Sequence, residues 1–189
     1  MDASRLPELI EGDGVVLRRW RVADAPAQHR AILESIEHLR PWMPWIAEEP
    51  QPLERRAELI AAWEREWELG GDVYLAIMAG SEVAGGAGLH RRIGPGGLEI
   101  GYWLHPAFTG RGLATAAARA LAKAALALDG IDHVEIRHDR ANAASGAVPV
   151  RLGFVLAGEQ ANPAPAPADS GTDLVWRMTR PAVWHGAAP

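Results

Sequence analysis

The sequence predicts an α/β (α+β) fold: one mixed, mostly antiparallel sheet of about seven strands, flanked by helices on both faces. Three observations predict it. Three strand-like segments follow one another between residues 72 and 104, separated only by short glycine turns, as in an antiparallel meander. Two helical segments precede them. Beyond them strands and helices alternate, which implies βαβ units and helices on both sides of the sheet. At 189 residues the chain is one domain of ordinary size, residues 1–189.

Gly14 to Trp20 (GVVLRRW) reads as the first strand. Asp24 caps a helix over Ala25 to His38, with Ile32, Leu33, Ile36 and Leu39 at helical spacing. Two prolines bracket Trp42 in Leu39-Arg-Pro-Trp-Met-Pro-Trp45, which makes a stiff loop. A second helix runs from Leu53 to Leu69 and stops at Gly70-Gly71. The meander comprises Asp72 to Met78, Glu82 to His90 and Leu98 to Leu104, with turns at Ala79-Gly80-Ser81 and Gly94-Pro95-Gly96-Gly97. A helix then covers about Gly112 to Leu128 and ends at Asp129-Gly130. His133 to His138 is a strand, and Ala143 to Leu152 a short helix closed by Gly153. Pro149 lies in its first turns or marks a kink. Phe154 to Leu156 begins a strand, the proline-rich Ala161 to Ser170 is a loop, and Asp173 to Met178 is the last strand.

Composition excludes several classes. There is no cysteine, which removes disulfides, thiolate nucleophiles and cysteine metal sites, and no metal site is expected. A net charge of -5 argues against a nucleic-acid binder and for partners that carry positive charge. No apolar run approaches a membrane span, and the acidic MDASRLPELIEGD start lacks a signal pattern, so a cytoplasmic protein is expected. Eight tryptophans are many for this length; they fill the core or line a cleft.

The most informative stretch is LEIGYWLHPAFTGRGLATAAARAL, Leu98 to Leu121, where a strand passes through a glycine loop into an alanine-rich helix. Loop amides, glycine's close approach and the positive helix N-terminus suit a phosphate. A nucleotide P-loop needs Lys-Ser/Thr after the last glycine, and Leu113-Ala114 stands there instead. A dinucleotide fingerprint fits poorly, because Gly110-x-Gly112-x-Ala114 lacks the required setting. An acyl-CoA pyrophosphate loop remains.

Three blocks, in this order, carry a family resemblance: Glu99-Ile-Gly-Tyr-Trp-Leu-His-Pro106, Gly110-Arg-Gly-Leu-Ala-Thr115, and Asn142-Ala-Ala-Ser145 followed by Arg151-Leu-Gly-Phe154. With the Pro-Trp-Met-Pro-Trp loop, the chain resembles the GNAT N-acetyltransferases of the RimJ/RimL type over about Val15 to Met178. Thr109 departs from that family, whose loop usually begins with glutamine or arginine. Because backbone amides do most of the phosphate binding, the departure should at most weaken cofactor affinity.

The resemblance implies direct acetyl transfer from acetyl-CoA to a primary amine. The pyrophosphate would take amides of Arg111, Gly112, Leu113, Ala114 and Thr115. A backbone amide at a splayed fourth strand, around Tyr102, Trp103 and Leu104, would hold the thioester oxygen. Many relatives protonate the leaving thiolate with a tyrosine near the last helix. This chain has only Tyr74 and Tyr102, both upstream, which leaves Ser145 as the hydroxyl at that place. Asn142 would orient cofactor or water, and both residues also suit a helix cap. Glu99 or His90 could take the amine proton through water, though a strand-end Glu or His is more often solvated.

Trp42, Trp45, Glu34, Glu37 and Glu48 are candidates for an acceptor mouth suited to a cationic amine. The plainer view is that the tryptophans pack the loop and the glutamates face water. The amine is that of a protein N-terminus or of a small molecule, an antibiotic included. The rival from another class is a non-catalytic acyl-CoA-binding module, which a cleft plugged by tryptophan would favour. Exposed apolar surface on the last strands would support a homodimer.

Overall fold

In a computed structural model, residues 6–163 and 166–180 are described. They form an eight-stranded sheet in the order β1-β2-β3-β4-β5-β6-β8-β7. The strands are β1 (Leu9–Gly12), β2 (Val15–Arg19), β3 (Val73–Ala79), β4 (Glu82–His90), β5 (Gly97–Leu104), β6 (His133–Asp139), β7 (Val155–Ala161) and β8 (Thr172–Thr179). The helices are α1 (Ala25–Leu33), α2 (Ile36–Leu39), α3 (Leu53–Glu68), α4 (Leu113–Leu126) and α5 (Ala143–Leu152). Every pairing is antiparallel except β5 with β6. The mixed, helix-flanked sheet expected from the pattern is present. Among the described residues, no helix is long and apolar enough to cross a membrane.

Two local features differ from the sequence expectation. First, β1 adds an eighth strand, turned onto β2 through Asp13-Gly14, with Gly14 left-handed at φ 74°. Second, the helix expected over Ala25 to His38 is broken after Leu33. The buried Ser35 hydroxyl donates to the Ala31 carbonyl at 2.6 Å, and this local bond competes with the helical ladder. Pro149, expected in the first turns of its helix or at a kink, sits inside α5.

Period-two alternation divides the sheet into two faces. On one face Leu75, Ile77, Leu98, Ile100, Val134 and Ile136 pack on α4, whose Ala117, Ala118, Leu121, Ala122 and Ala125 are buried. Alanine gives strong helix propensity and lets the helix lie close to the strands; at Gly12 a Cβ would come within 3.2 Å of the Ala120 methyl. On the other face, Ala76 and Trp20 meet Ile60 of α3, with Trp63 stacked on Tyr74 at 4.6 Å. Beside them Ile32, Leu39 and Ile46 pack against Trp103.

The parallel pairing of β5 and β6 is short. It runs from Gly97↔His133 to Ile100↔Ile136 and then stops. Beyond it β5 stays with β4 as far as Leu104↔Gly85, and β6 stays with β8 as far as Asp139↔Asp173. The sheet therefore splays open at Gly101.

Below the splay, Glu99 and Glu135 are neighbours in register. Like charges at that spacing repel, and arginines offset them. Arg137 lies 2.8 Å from Glu135 and 3.6 Å from Glu99, Arg177 lies 2.6 Å from Glu135, and Arg92 pairs with Glu99. Burial opposes the ionised form of Glu135, but hydrogen bonds from Arg177 and Arg137 outweigh it and hold the carboxyl below its usual range. Burial likewise opposes ionisation of Asp139 and Asp24, and hydrogen bonds again prevail. Those depressed groups contribute stability that is complete above the unfolded carboxylate range, ~4, and is lost as pH falls through their folded values. Asp169 and Asp173, raised first by burial and further by the charge of Asp139, act in the opposite sense. Their contribution is present at low pH and is lost as pH rises through their folded values. Thermal unfolding of Glu135→Gln should show a loss of about 2 kcal/mol at neutral pH. Its melting temperature should also fall less steeply below pH ~4 than that of the parent. An unchanged acid limb would remove Glu135 from the account.

Candidate active site

The glycine loop is built as its sequence suggested. Gly110 and Gly112 are left-handed at φ 71° and 77°, conformations that disfavour a side chain. A Cβ on Gly112 would meet no protein atom within 4 Å, so the space in front of it is open. Gly112 caps α4, and the Ala116 amide donates to its carbonyl at 3.0 Å. The amides of Leu113, Ala114 and Thr115 precede that bond and have no helical acceptor. Arg111 lies over the Phe108 ring at 5.1 Å, and the Thr109 hydroxyl donates to the Pro106 carbonyl at 2.8 Å.

Along β5 the residues Tyr102, Trp103 and Leu104 do not share one face. Tyr102 and Leu104 lie with the α4 core, while Trp103 turns to the opposite side, edge-on to Trp45 at 6.3 Å. The Trp103 side chain therefore stands away from a cofactor in the splay, and its backbone pairs with Gly86 of β4.

Tyr102 reaches across the splay to α5. Its hydroxyl lies 3.3 Å from the Ser145 carbonyl and 3.4 Å from Ser145 Oγ. Pro149 accounts for the first contact: it has no N–H, so the carbonyl four residues earlier, that of Ser145, lacks its helical donor. The phenol takes that place. Burial pushes the Tyr102 hydroxyl up to about 12, with the Ser145 hydrogen bond acting against it, so it stays protonated at neutral pH. Asn142 is the N-cap of α5, its Oδ1 accepting the Ser145 amide at 3.1 Å.

On the other face opens a cleft of about 780 Å³. Trp42, Trp45, Glu48, His90, Glu99, Tyr102, Trp103, Asn142 and Ser145 all line it, together with Trp20 and Trp63. Among the described residues the tryptophans thus divide between walls and core, and those at the cleft line it without plugging it. The connector from Ala166 onward reaches the same rim, where the Ala168 amide donates to the Pro41 carbonyl at 3.0 Å. Asp139 fixes that connector by accepting from the Ser170 hydroxyl and the Gly171 amide, each at 3.1 Å.

Two predicted mouth residues are elsewhere. Glu34, at the exposed end of α1, is 3.0 Å from His105 Nε2, and Glu37 pairs with Arg40; neither lines the cleft. Glu99 is buried against Arg92 rather than solvated, and His90 Nδ1 is 2.9 Å from Asp72 Oδ2. Sequence reasoning missed Asp72, Arg92, Asp169 and Asp173, which line or support the cleft. The alternation of β5 carried the one available signal, because it separates Tyr102 from Trp103. The Tyr102–Ser145 approach spans 43 positions and left no local trace.

The chain is 28% identical over 152 residues to "Putative ribosomal N-acetyltransferase YdaF" of Bacillus subtilis (strain 168), covering 77% of this chain and 80% of that one. Its fold is similar to RimL, a ribosomal L7/L12 alpha-N-protein acetyltransferase solved with coenzyme A. That match has a TM-score of 0.82 at 23% identity and covers 91% of this chain and 98% of RimL. The microcin C7 self immunity acetyltransferase MccE, solved with acetyl-CoA and AMP, matches with a TM-score of 0.80 at 20% identity, over 88% and 93% of the two chains. The model of the acetyltransferase (GNAT) domain matches residues 15–155, from β2 to the start of β7, and the chain belongs to that family.

Proposed function

We propose that this protein transfers the acetyl group of acetyl-CoA to a primary amine, that of a peptide N-terminus, by direct attack. The observation that supports it most is the meeting of two open spaces at one point. The splay between β5 and β6 begins at Gly101, and the acceptor cleft has Gly101 in its lining. A thioester laid in the splay from the glycine loop would present its carbonyl to an amine in the cleft.

The roles follow from the geometry. The amides of Arg111 to Thr115, with the α4 dipole behind them, hold the pyrophosphate. Beyond Ile100 the β5 amides turned away from β4, those of Tyr102 and Leu104, no longer face a partner strand, and one of them meets the developing oxyanion. The Tyr102–Ser145 pair protonates or hydrogen-bonds the leaving thiolate. Its long contacts leave room to tighten around the substrate. Tyr102, kept protonated, shares with Ser145 the role expected of Ser145 alone. Asn142 fixes Ser145 by capping its helix.

The acceptor reading rests on charge and form. Six carboxylates line the cleft against three guanidiniums, Arg56, Arg92 and Arg137. Such a cleft attracts an ammonium, and its open extent suits an extended chain. RimL, by its own description, acts on a protein N-terminus. The open cleft also speaks against the non-catalytic module.

Three outcomes test this reading. Gly112→Val places a side chain in the phosphate space and should weaken acetyl-CoA binding at least ~10-fold by calorimetry, about 1.4 kcal/mol. Gly94→Ala is the control: it is also left-handed, at φ 95°, with open space around it. It should cost stability and leave the affinity unchanged. Equal affinities for all three proteins would sink the loop assignment. Tyr102→Phe and Ser145→Ala should each lower kcat about 10- to 100-fold with little change in acetyl-CoA affinity. Pro149→Ala returns a donor to the Ser145 carbonyl. It should raise the melting temperature, since proline costs ~3 kcal/mol in a helix interior, yet lower kcat by displacing Tyr102. A faster or unchanged kcat would make the phenol contact incidental.

A further inference from the structure

We propose that His90 is the general base of the transfer, with Asp72 as its positioning residue. The inference rests on the acetyl-transfer reading above and deepens it.

The imidazole lies on the floor of the cleft, on the same face as Trp103. Nδ1 is 2.9 Å from Asp72 Oδ2. A carboxylate only accepts, so Nδ1 carries a proton, and in the neutral ring Nε2 is the nitrogen with the lone pair. Asp72 is itself held, because the Arg91 amide donates to its other oxygen at 2.9 Å. Tyr74 closes the ring from the side, edge-on at 5.4 Å. The ring is thus fixed at one nitrogen and one edge, while Nε2 has no partner among the described residues.

Two glycines make the place for it. A Cβ on Gly88 would stand 3.0 Å from Nε2, and one on Gly101 would stand 3.3 Å from the same atom. Nε2 therefore lies against the bare backbone of Gly101, the residue at which β5 leaves β6. A base is wanted at that point, beside the mouth of the splay, where the amine meets the thioester. A side chain on Gly88 would displace the ring.

Glu99 is the rival base, and its surroundings disqualify it. Arg92 pairs with it, and Arg137 stands 3.6 Å away. Both Glu99 oxygens already accept hydrogen bonds from Arg92, so neither is left to face an amine. The groups facing His90 are Asp72 before β3, Tyr74 on β3, Arg92 after β4 and Glu99 on β5. Glu66 of α3 lies near Tyr74, whose phenol is raised first by burial and then by Asp72 and so stays neutral.

The proton balance is complete without any other reactant. The acceptor enters as an ammonium and gives one proton to Nε2, which passes it to solvent. The free lone pair forms the N–C bond, and the tetrahedral adduct then loses its second N–H proton to Nε2. The C–S bond breaks, and the thiolate takes a proton from the Tyr102–Ser145 hydroxyls, which are refilled from the protonated imidazole through solvent. The net result is an amide, a thiol and one released proton.

The test uses the full-length protein and thiol release with an N-terminal peptide. His90→Ala should lower kcat about 100-fold while acetyl-CoA affinity by calorimetry stays the same. The acid limb of the kcat profile should disappear, and added imidazole, which fits the space over Gly88 and Gly101, should restore part of the rate. Asp72→Asn, which can present an amide donor to Nδ1, should lower kcat at least ~10-fold at unchanged acetyl-CoA affinity. His90→Ala with the parent rate and pH profile, or with rate and acetyl-CoA affinity lost together and no rescue, overturns the proposal alone. A parent protein that binds acetyl-CoA yet releases no thiol with any amine overturns the transferase reading, and the proposal with it.

Discussion

The structure depends on one interrupted ladder. β5 and β6 share four register positions, from Gly97↔His133 to Ile100↔Ile136, and then each follows its antiparallel partner. Parallel pairing is slightly less stable per residue than antiparallel pairing, so the long β4–β5 and β6–β8 ladders decide where the strands go. The gap leaves backbone groups of β5 without a strand partner, a cost unless something else meets them. It also brings the two faces of the sheet to a common opening. The glycine loop and α4 stand at one side, and the tryptophan-lined cleft stands at the other.

Around the opening, the sequence spends residues that would otherwise weaken the fold. Proline in a helix interior and glycines in strand interiors are both destabilising. Here Pro149 frees the Ser145 carbonyl for the Tyr102 hydroxyl, and Gly88 and Gly101 leave space for the His90 ring. Gly86 does the same for Trp103, whose Nε1 would be 2.4 Å from a Cβ there. Each local violation has a neighbouring side chain that uses it. The arginines on the same face pair with Glu99 and Glu135, and the Asp72–His90 pair is the base we propose.

Much of the fold was legible because its signals are local. The meander turns, the alanine-rich helix and the glycine loop all stand close to their sequence positions. β1 escaped because its four residues are short and half polar, although Asp13-Gly14 beside alternating residues is a hairpin signal. The break in the first helix escaped because it turns on a buried hydroxyl, and burial is a tertiary property. For the site, the loop and the Asn142–Ser145 cap could be read from order and spacing. The partnerships could not: Tyr102 with Ser145, His90 with Asp72 and Glu34 with His105 join residues 18 to 71 positions apart. Periodicity assigns a residue to a face, and only the packed sheet says what stands opposite.

The most direct measurement is amide hydrogen exchange with and without coenzyme A. The account predicts slowed exchange in two separate places, at Tyr102 and Leu104 on β5 and over Gly110 to Thr115 at the start of α4, with β2 and β3 unaffected. Protection confined to the glycine loop, with the β5 amides exchanging as before, would contradict the claim that the splay is where the thioester lies.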